Sequence, residues 1–576
     1  MNSLNIKQLL DDLISQAMRH AGIDEPIAQI RQSQKPEFGH YQANGMMAAA
    51  KKAGSAPRML AQRVVDMLDG HSEFDFEIAG PGFINIRLTA QFIERNMTDF
   101  QLHESPATRA DTRTVVIDYS APNLAKEMHI GHLRSTVIGD TAARVLEFCN
   151  HRVVRANHVG DWGAQFGSLL AYLDQITVPG EEISSKLVDL EKFYQSASKL
   201  FRADQNFAAK AREYVVKLQR KDSRCHKLWE KFIAISLDHC QTVYHKLNIS
   251  LTQADVKAES AYNDDLPVIV EQLQGRGLLT ESDGAQCVFL DEFKGQNERP
   301  LPAIVRKSDG GYPYLATDLA AARYRSQIIN ADEVLYFVGA SQQLHLRQVF
   351  AVASAAGFTK PQQIFRHLPF GLILKADGKP FKTRDGADVK LIDVLDEATR
   401  RAFTLINEKN SSMPEQQQLA VAEVVGIGAI KYAELSKNRT TDYIFDWDSM
   451  LSFEGNTSPY LQYAYTRIRS LFRKRPTQEN SPVNGMTLTE DQEILLAIRV
   501  LQFTEAIDAY LEDYQANILC QYLYELASSF MKFYEHCPVL SEAQDIQDSR
   551  LHLAKVTAHI LQTGLSLLGI QTVEQM

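Results

Sequence analysis

No stretch of this 576-residue sequence approaches the ~20 uninterrupted apolar residues that a membrane-spanning helix needs, and its opening, Met1-Asn2-Ser3-Leu4-Asn5-Ile6-Lys7, has no basic segment leading into an apolar core. The expectation is a cytoplasmic protein with no membrane partner. Cysteine is sparse: Cys149, Cys225, Cys240, Cys287, Cys520 and Cys537 lie far apart and never form C-x-x-C, which argues against a disulfide framework and a cysteine-type zinc site, so no resident metal is expected. Excess positive charge is missing as well. With 61 Lys+Arg against 71 Asp+Glu the formal net charge is -10, which argues against wholesale electrostatic capture of nucleic acid and requires any such partner to be met by local basic faces. There is no internal repeat and no low-complexity tract. Gly378-Lys379 runs into Pro380 rather than completing G-x-x-x-x-G-K-[ST], and neither H-E-x-x-H nor a full G-x-G-x-x-G occurs, which leaves kinase, zinc-hydrolase and dehydrogenase readings unsupported.

What remains is ordinary folded protein, 45% hydrophobic and 23% charged, and long enough for several cores. The pattern predicts an N-terminal α+β domain over 1–105: helical spacing from Leu9 to Met18, then a Gly80-Pro81-Gly82 turn into a strand alternating Phe83, Asn85, Arg87 against Ile84, Ile86, Leu88. A polar linker, His103 to Arg113, follows. From 112 to 375, strands at Thr114–Tyr119, Arg152–Ala156, Cys287–Leu290 and Val334–Val338 alternate with helical stretches, including one from about His132 to Phe148, which predicts a doubly wound parallel-sheet, Rossmann-like α/β domain. A charged helical insertion interrupts it at about 180–245. Residues 376–454 read as a basic loop and connecting helices, and 455–576 as an all-α bundle with a loop at Pro476–Asn484.

The informative segment is Ser120-Ala121-Pro122-Asn123-Leu124-Ala125-Lys126-Glu127-Met128-His129-Ile130-Gly131-His132. It follows the first strand of the predicted sheet, where open α/β sheets bind ligands and where a helix start offers free N–H groups to phosphate. His129 and His132 share a face at that start and can donate to phosphate oxygens as charge shifts; Gly131 lets a flat base approach the backbone. The bland alternative is a packed helix that happens to open on two histidines, but the tetrapeptide in this position weighs toward a phosphate role at a nucleotide site.

That tetrapeptide is the signature of class I aminoacyl-tRNA synthetases, and the longer segment through Leu133-Arg134-Ser135 resembles the arginyl-tRNA synthetases, most closely their bacterial form. Further pieces are similar along nearly the whole chain: Asn157-His158-Val159-Gly160-Asp161-Trp162-Gly163, Asp309-Gly310-Gly311-Tyr312, Gly378-Lys379-Pro380-Phe381-Lys382-Thr383-Arg384 and Ser436-Lys437-Asn438-Arg439. The resemblance implies ligation of L-arginine to tRNA(Arg) through an arginyl-adenylate, with ATP as substrate, Mg2+ assisting, and a monomeric enzyme. The second signature of the class, K-M-S-K-S, is degenerate here. Lys379 and Lys382 are its basic residues, Thr383 stands where a lysine is usual, and the resemblance assigns the missing cation to Lys126, three residues before His129. An exposed basic turn is the alternative for that loop.

A guanidinium stays charged, so a site that desolvates it must supply carboxylates, preferably in planar bidentate geometry. Tyr314 and Asp318 stand four apart in a helical pattern and so on one face. By resemblance they bind the substrate arginine with Asn123, His132 and Gln342, and Glu259 is a further candidate carboxylate. Asp161, in its Gly-flanked loop, meets ribose hydroxyls or an ammonium group, or only closes a tight turn. For tRNA, Tyr463, Arg467, Arg469, Arg473 and Lys474, with Tyr465, Phe472 and Arg475, interleave aromatics with cations as unpaired bases beside a backbone require; a solvated amphipathic helix is the alternative. By resemblance the N-terminal domain meets the outer corner of the tRNA. Two rival functions stay open: a synthetase for another amino acid, and a non-catalytic tRNA-binding paralogue, against which the intact histidine pair and Lys126 argue.

Overall fold

The computed structural model describes residues 4–33, 35, 38–100, 112–177, 187, 190–295, 298–381, 389–409, 413–475, 485–540 and 543–576, leaving aside the side chains of 164, 191 and 219. Most of the expected linker, the loop at Pro476–Asn484, and Lys382, Thr383 and Arg384 lie outside the described residues. The chain divides into two compact units: Met1–Thr108 with Ser452–Ser566 and Gln571–Met576, and Arg109–Leu451 with Leu567–Ile570.

In the first unit the N-terminal helix Ile6–His20 is capped by Asn5, whose side chain accepts from the Gln8 N–H, and it buries Ile6, Leu10, Ile14, Ala17 and Met18. It accompanies an antiparallel sheet of β1 (Ile30–Gln32), β2 (Tyr41–Ala43), β3 (Phe74–Ala79) and β4 (Phe83–Leu88), in the order β1-β2-β4-β3. As the alternation predicts, Ile84, Ile86 and Leu88 are buried. The helices Ser458–Lys474, Asp491–Leu501, Phe503–Asp513 and Ala516–His536 and most of Gln544–Leu567 complete the unit. Its two chain segments meet at a buried carboxylate: Glu505 accepts from the Tyr41 hydroxyl at 2.6 Å and from Gln32 Nε2 at 2.9 Å, and Gln502 donates to the same hydroxyl at 3.1 Å.

The second unit is built on a parallel sheet of β5 (Thr114–Asp118), β6 (Arg152–Ala156), β10 (Glu333–Tyr336) and β11 (Ile364–His367), in the order β11-β10-β5-β6. Val115, Val116 and Ile117 are fully buried, as a strand covered on both faces requires. The chain leaves β5 through helix Leu133–Phe148 to β6 on one side, and later returns to β10 on the other, so the topological switch lies between β5 and β10. Their carboxyl ends open the crevice in which such sheets bind ligands.

Between β6 and β10 come the expected helical insertion, with helices Leu190–Ala203, Gln205–Gln219 and Ser223–Lys246, and an antiparallel sheet of β7 (Leu279–Ser282), β8 (Ala285–Val288) and β9 (Ala303–Arg306). This corrects the sequence reading, which counted Cys287–Leu290 among the parallel strands. Asp283 and Gly284 both have positive φ, 52° and 75°, and close a two-residue hairpin that pairs Ser282 with Ala285, so β8 is consumed by its own neighbour in sequence. The fourth parallel strand is instead β11, which the sequence reading did not single out. Helices Leu391–Lys409 and Glu415–Leu435 pack against each other beyond it, beside the two-stranded β12 (Ile373–Leu374) and β13 (Tyr443–Ile444).

Candidate active site at the carboxyl ends of two parallel strands

Past the end of β5 the backbone turns through Ser120 and Ala121, both in the left-handed region (φ 68° and 43°), a conformation that L-residues hold only when their surroundings impose it. The surroundings do so with hydrogen bonds. The Ser120 N–H donates to Ser135 Oγ at 2.9 Å, whose own O–H donates to the carbonyl of Phe337 past the end of β10 at 2.7 Å, so one hydroxyl ties both strand ends together. Thr136 Oγ1 donates to Ser120 Oγ at 2.8 Å, the Tyr244 hydroxyl lies 2.8 Å from the same oxygen, and the Ala121 N–H donates to Asn157 Oδ1 at 3.1 Å. Asn123 closes a tight turn, its Oδ1 accepting from the Ala125 N–H at 2.9 Å, while Leu124 and Gly160 pair the two loops that follow β5 and β6.

The two histidines are built into a 3₁₀ turn, Ile130–His132, at the start of helix Leu133–Phe148. Nδ1 of His129 accepts from the Gly131 N–H, and Nδ1 of His132 accepts from the His129 N–H, each at 3.1 Å. Both rings must therefore carry their proton on Nε2 when neutral, and the rings lie 4.0 Å apart between centroids. Burial, then the neighbouring His129 and Lys126, push His132 down to about 3, so it is a neutral donor at physiological pH. Gly131 has a steric reason: a Cβ there would lie 2.8 Å from Cε1 and 2.9 Å from Nδ1 of His129, in the space the folded-back ring occupies.

Two anchors hold this turn. Arg134, fully buried, donates to Glu434 Oε1 at 2.6 Å and to the Thr441 carbonyl at 2.9 Å, and lies over the Tyr443 ring. The segment Val389–Leu391 pairs with the turn directly: Ile130 N–H donates to the Val389 carbonyl at 3.0 Å, Leu391 N–H to the Met128 carbonyl at 2.9 Å, and Lys390 stands 3.0 Å from Glu127. The chain thus emerges from the degenerate second signature alongside the histidines. Of that signature Lys379 is described: it sits exposed on a turn in which Lys375 N–H donates to its carbonyl at 2.8 Å, with Asp377 at 3.9 Å.

Three carboxylates gather from distant segments, one of them in the loop that follows β6. Asp318, on helix Tyr314–Arg323, accepts from His345 Nε2 at 2.6 Å and has His158 Nε2 at 3.8 Å. Asp161 accepts from Ser260 N–H at 2.9 Å and Ser260 O–H at 2.5 Å, so its carboxylate closes its own loop onto the Glu259–Tyr262 turn. Burial, then Asp318 and Asp161, push Glu259 up to about 8, which leaves it protonated at neutral pH until a cation arrives. Tyr314 is 66% exposed, and its phenol is raised by burial of its inner part and by Glu259. Gln342 is exposed at the end of the 3₁₀ turn Ala340–Gln342 that follows β10. The arrangement combines ring N–H donors suited to a polyphosphate with a carboxylate cluster suited to a cationic side chain.

A family model described as tRNA synthetases class I (R), catalytic domain, matches residues 97–447, one for the arginyl tRNA synthetase N terminal domain matches residues 5–88, and one for the DALR anticodon binding domain matches residues 461–576. The sequence is 51% identical over 578 residues to the arginine–tRNA ligase of Hahella chejuensis and 51% over 579 residues to that of Pectobacterium carotovorum, each match covering 100% of both chains. The chain belongs to the arginyl-tRNA synthetase family. Among solved structures, arginyl-tRNA synthetase from Plasmodium falciparum is similar with a TM-score of 0.86 at 28% identity, covering 100% of each chain, and that from Thermus thermophilus shares the fold with a TM-score of 0.80 at 24% identity, covering 99% of this chain and 100% of that one.

In this arginyl-tRNA synthetase family member the cation-and-aromatic cluster falls on helix Ser458–Lys474, within the anticodon-binding match. Arg467 donates to the Tyr463 hydroxyl at 2.7 Å and lies between the Tyr463 and Tyr534 rings. Arg469 and Arg473 bond to Glu574, at its side chain (2.9 Å) and its carbonyl (2.6 Å), while Lys474 and Arg475 are exposed and Tyr465 and Phe472 are buried. Sequence reasoning missed His345 and the Arg134–Glu434 pair. His345 stands three residues after Gln342, but nothing in its spacing points at Asp318. Among the described residues no group of three or more His, Cys, Asp or Glu is placed to hold a metal ion, and no helix is long and apolar enough to cross a membrane.

Proposed function

We propose that this chain works as an arginine–tRNA ligase, with L-arginine, ATP and tRNA(Arg) as its substrates. Arginine's carboxylate attacks the α-phosphate of ATP, releasing pyrophosphate; a ribose hydroxyl of the terminal tRNA adenosine then attacks the activated carboxyl, releasing AMP. No covalent enzyme intermediate is needed, and Mg2+ enters as the counter-ion of ATP. His129 and His132 donate from Nε2 to phosphate oxygens whose negative charge grows as pyrophosphate leaves, Gly131 leaves room for the folded-back His129 ring in this ATP site, and Lys126, Lys379 and Lys382 supply the cations. Asp318, Glu259 and Tyr314 take the guanidinium end of arginine, with Asn123, His132 and Gln342 completing its site. Tyr463, Arg467, Arg469, Arg473 and Lys474 face tRNA, residues 1–105 and 455–576 being its contact domains, 112–375 the catalytic domain and 376–454 the connecting region. The family expectation of a cytoplasmic monomer accompanies this reading.

The observation that carries the reading is the histidine pair, each with Nδ1 occupied by a backbone N–H, together with three clustered carboxylates. The test is ATP–pyrophosphate exchange with each of the amino acids, with and without tRNA(Arg). Exchange specific to arginine and dependent on tRNA is expected; exchange driven by a different amino acid, or none, overturns the assignment.

A further inference from the structure

Asp318 does not stand alone in its hollow. His345, the third residue of helix Gln343–Ala355, places Nε2 at 2.6 Å from Asp318 Oδ2, with the two side chains only 29% and 23% exposed. A carboxylate can only accept, so Nε2 carries the proton. The second histidine nearby cannot do the same while neutral: Nδ1 of His158 faces the Lys257 carbonyl at 3.1 Å and must hold its proton there, which leaves a bare Nε2 at 3.8 Å from Oδ1. The two helices concerned start from different places, one before β10 and one after it, so this single bond fixes the carboxylate of one against the imidazole of the other.

We propose that His345 is a positioning residue for arginine recognition, holding the Asp318 carboxylate in one rotamer so that its remaining lone pairs meet the flat edge of a guanidinium. This rests on the reading of Asp318 as an arginine ligand. A guanidinium pairs bidentately only with a carboxylate in the right plane, whereas a point charge such as an ammonium tolerates rotation; fixing the plane before the substrate arrives removes an ordering cost from binding. His345 need not touch arginine to do this.

The test is calorimetric titration of arginine into the full-length chain, alongside steady-state exchange kinetics with tRNA(Arg) present. His345→Ala is expected to raise the arginine Kd about 10- to 100-fold, the range of one hydrogen bond to a charged group. At saturating arginine kcat stays within about twofold and the KM for ATP is unmoved, the signature of lost ground-state binding rather than lost chemistry. His345→Gln, whose amide N–H can still donate, recovers most of the affinity and serves as the reference should the alanine variant fold poorly. On an Asp318→Asn background the loss of His345 should cost less than about threefold, because the group it orients has gone. An arginine Kd unchanged in His345→Ala, or the same factor on both backgrounds, overturns the role of His345 alone. A wild-type arginine Kd in Asp318→Asn overturns the reading of Asp318 and the proposal with it.

Discussion

Two histidines in different units use the same device. Nδ1 of His40 accepts from the Leu88 N–H at 3.0 Å, as Nδ1 of His132 accepts from the His129 N–H, so protonating either ring sets a new N–H against a backbone donor. Burial, then Arg87, lowers His40 from 6.5 to about 4, and His132 falls further still. The sign follows: between the unfolded value and the lowered folded one, the unfolded chain takes up a proton that the folded chain refuses, so stability is lost as pH falls through that window and is retained above it. His40→Gln removes one such group, and the fall in thermal midpoint on going from about pH 7.5 to about pH 5 should be smaller in the variant than in the wild type by scanning calorimetry. Equal falls would show that His40 titrates alike in both states. For Gly131 the cost is geometric. The methyl of Gly131→Ala occupies the place of the His129 ring, so arginine-dependent exchange should drop about 100-fold while the thermal midpoint stays put, Gly131 itself being exposed; activity within about twofold of wild type would mean that the folded-back ring is dispensable.

Among the elements, those whose character is written in consecutive residues were legible. The β-branched run from Thr114 to Ile117 is a buried strand because every position in it tolerates burial, and the histidine turn was visible because its chemistry is compressed into four residues. β11 was not legible: Ile364-Phe365-Arg366-His367 is a half-exposed edge strand with no uniform polarity, and its place beside β10 is decided by parallel pairing across the chain. β8 was placed in the wrong sheet because its apolar run outweighed the Asp283-Gly284 turn, which was the stronger signal. The acidic hollow draws on residues 161, 259 and 318, and no spacing rule links them. The same holds for Arg134 and Glu434, whose side chains are 1% and 0% exposed and which join helix Leu133–Phe148 to helix Glu415–Leu435. Arg134→Met leaves a buried carboxylate without its partner and should cost about 3–5 kcal/mol, whereas replacing both members with methionine should recover most of that loss. A double variant no more stable than the single one, in thermal midpoint, would show that Arg134 acts through Thr441 and Tyr443 instead.

Charge is the property the whole chain imposes on its parts. With a net charge of -10, attraction to a polyanion must be local, and helix Ser458–Lys474 is where cations and aromatics are closest together in the sequence. Arg469 and Arg473 already bond to Glu574, so the exposed Lys474 and the Tyr463–Arg467 pair are the groups with most to offer an incoming RNA. The two kinds of group should separate in a salt titration. A phosphate contact releases counter-ions, so Lys474→Gln should make the plot of log affinity for tRNA(Arg) against log salt shallower by about 0.7–0.9, whatever it does to affinity at one concentration. A stacked ring releases none: Tyr463→Ala should lower affinity by about 1–3 kcal/mol at every salt concentration and leave the slope as it was. If Lys474→Gln leaves the slope unchanged, that lysine is a solvated charge and the basic face for tRNA lies on other residues.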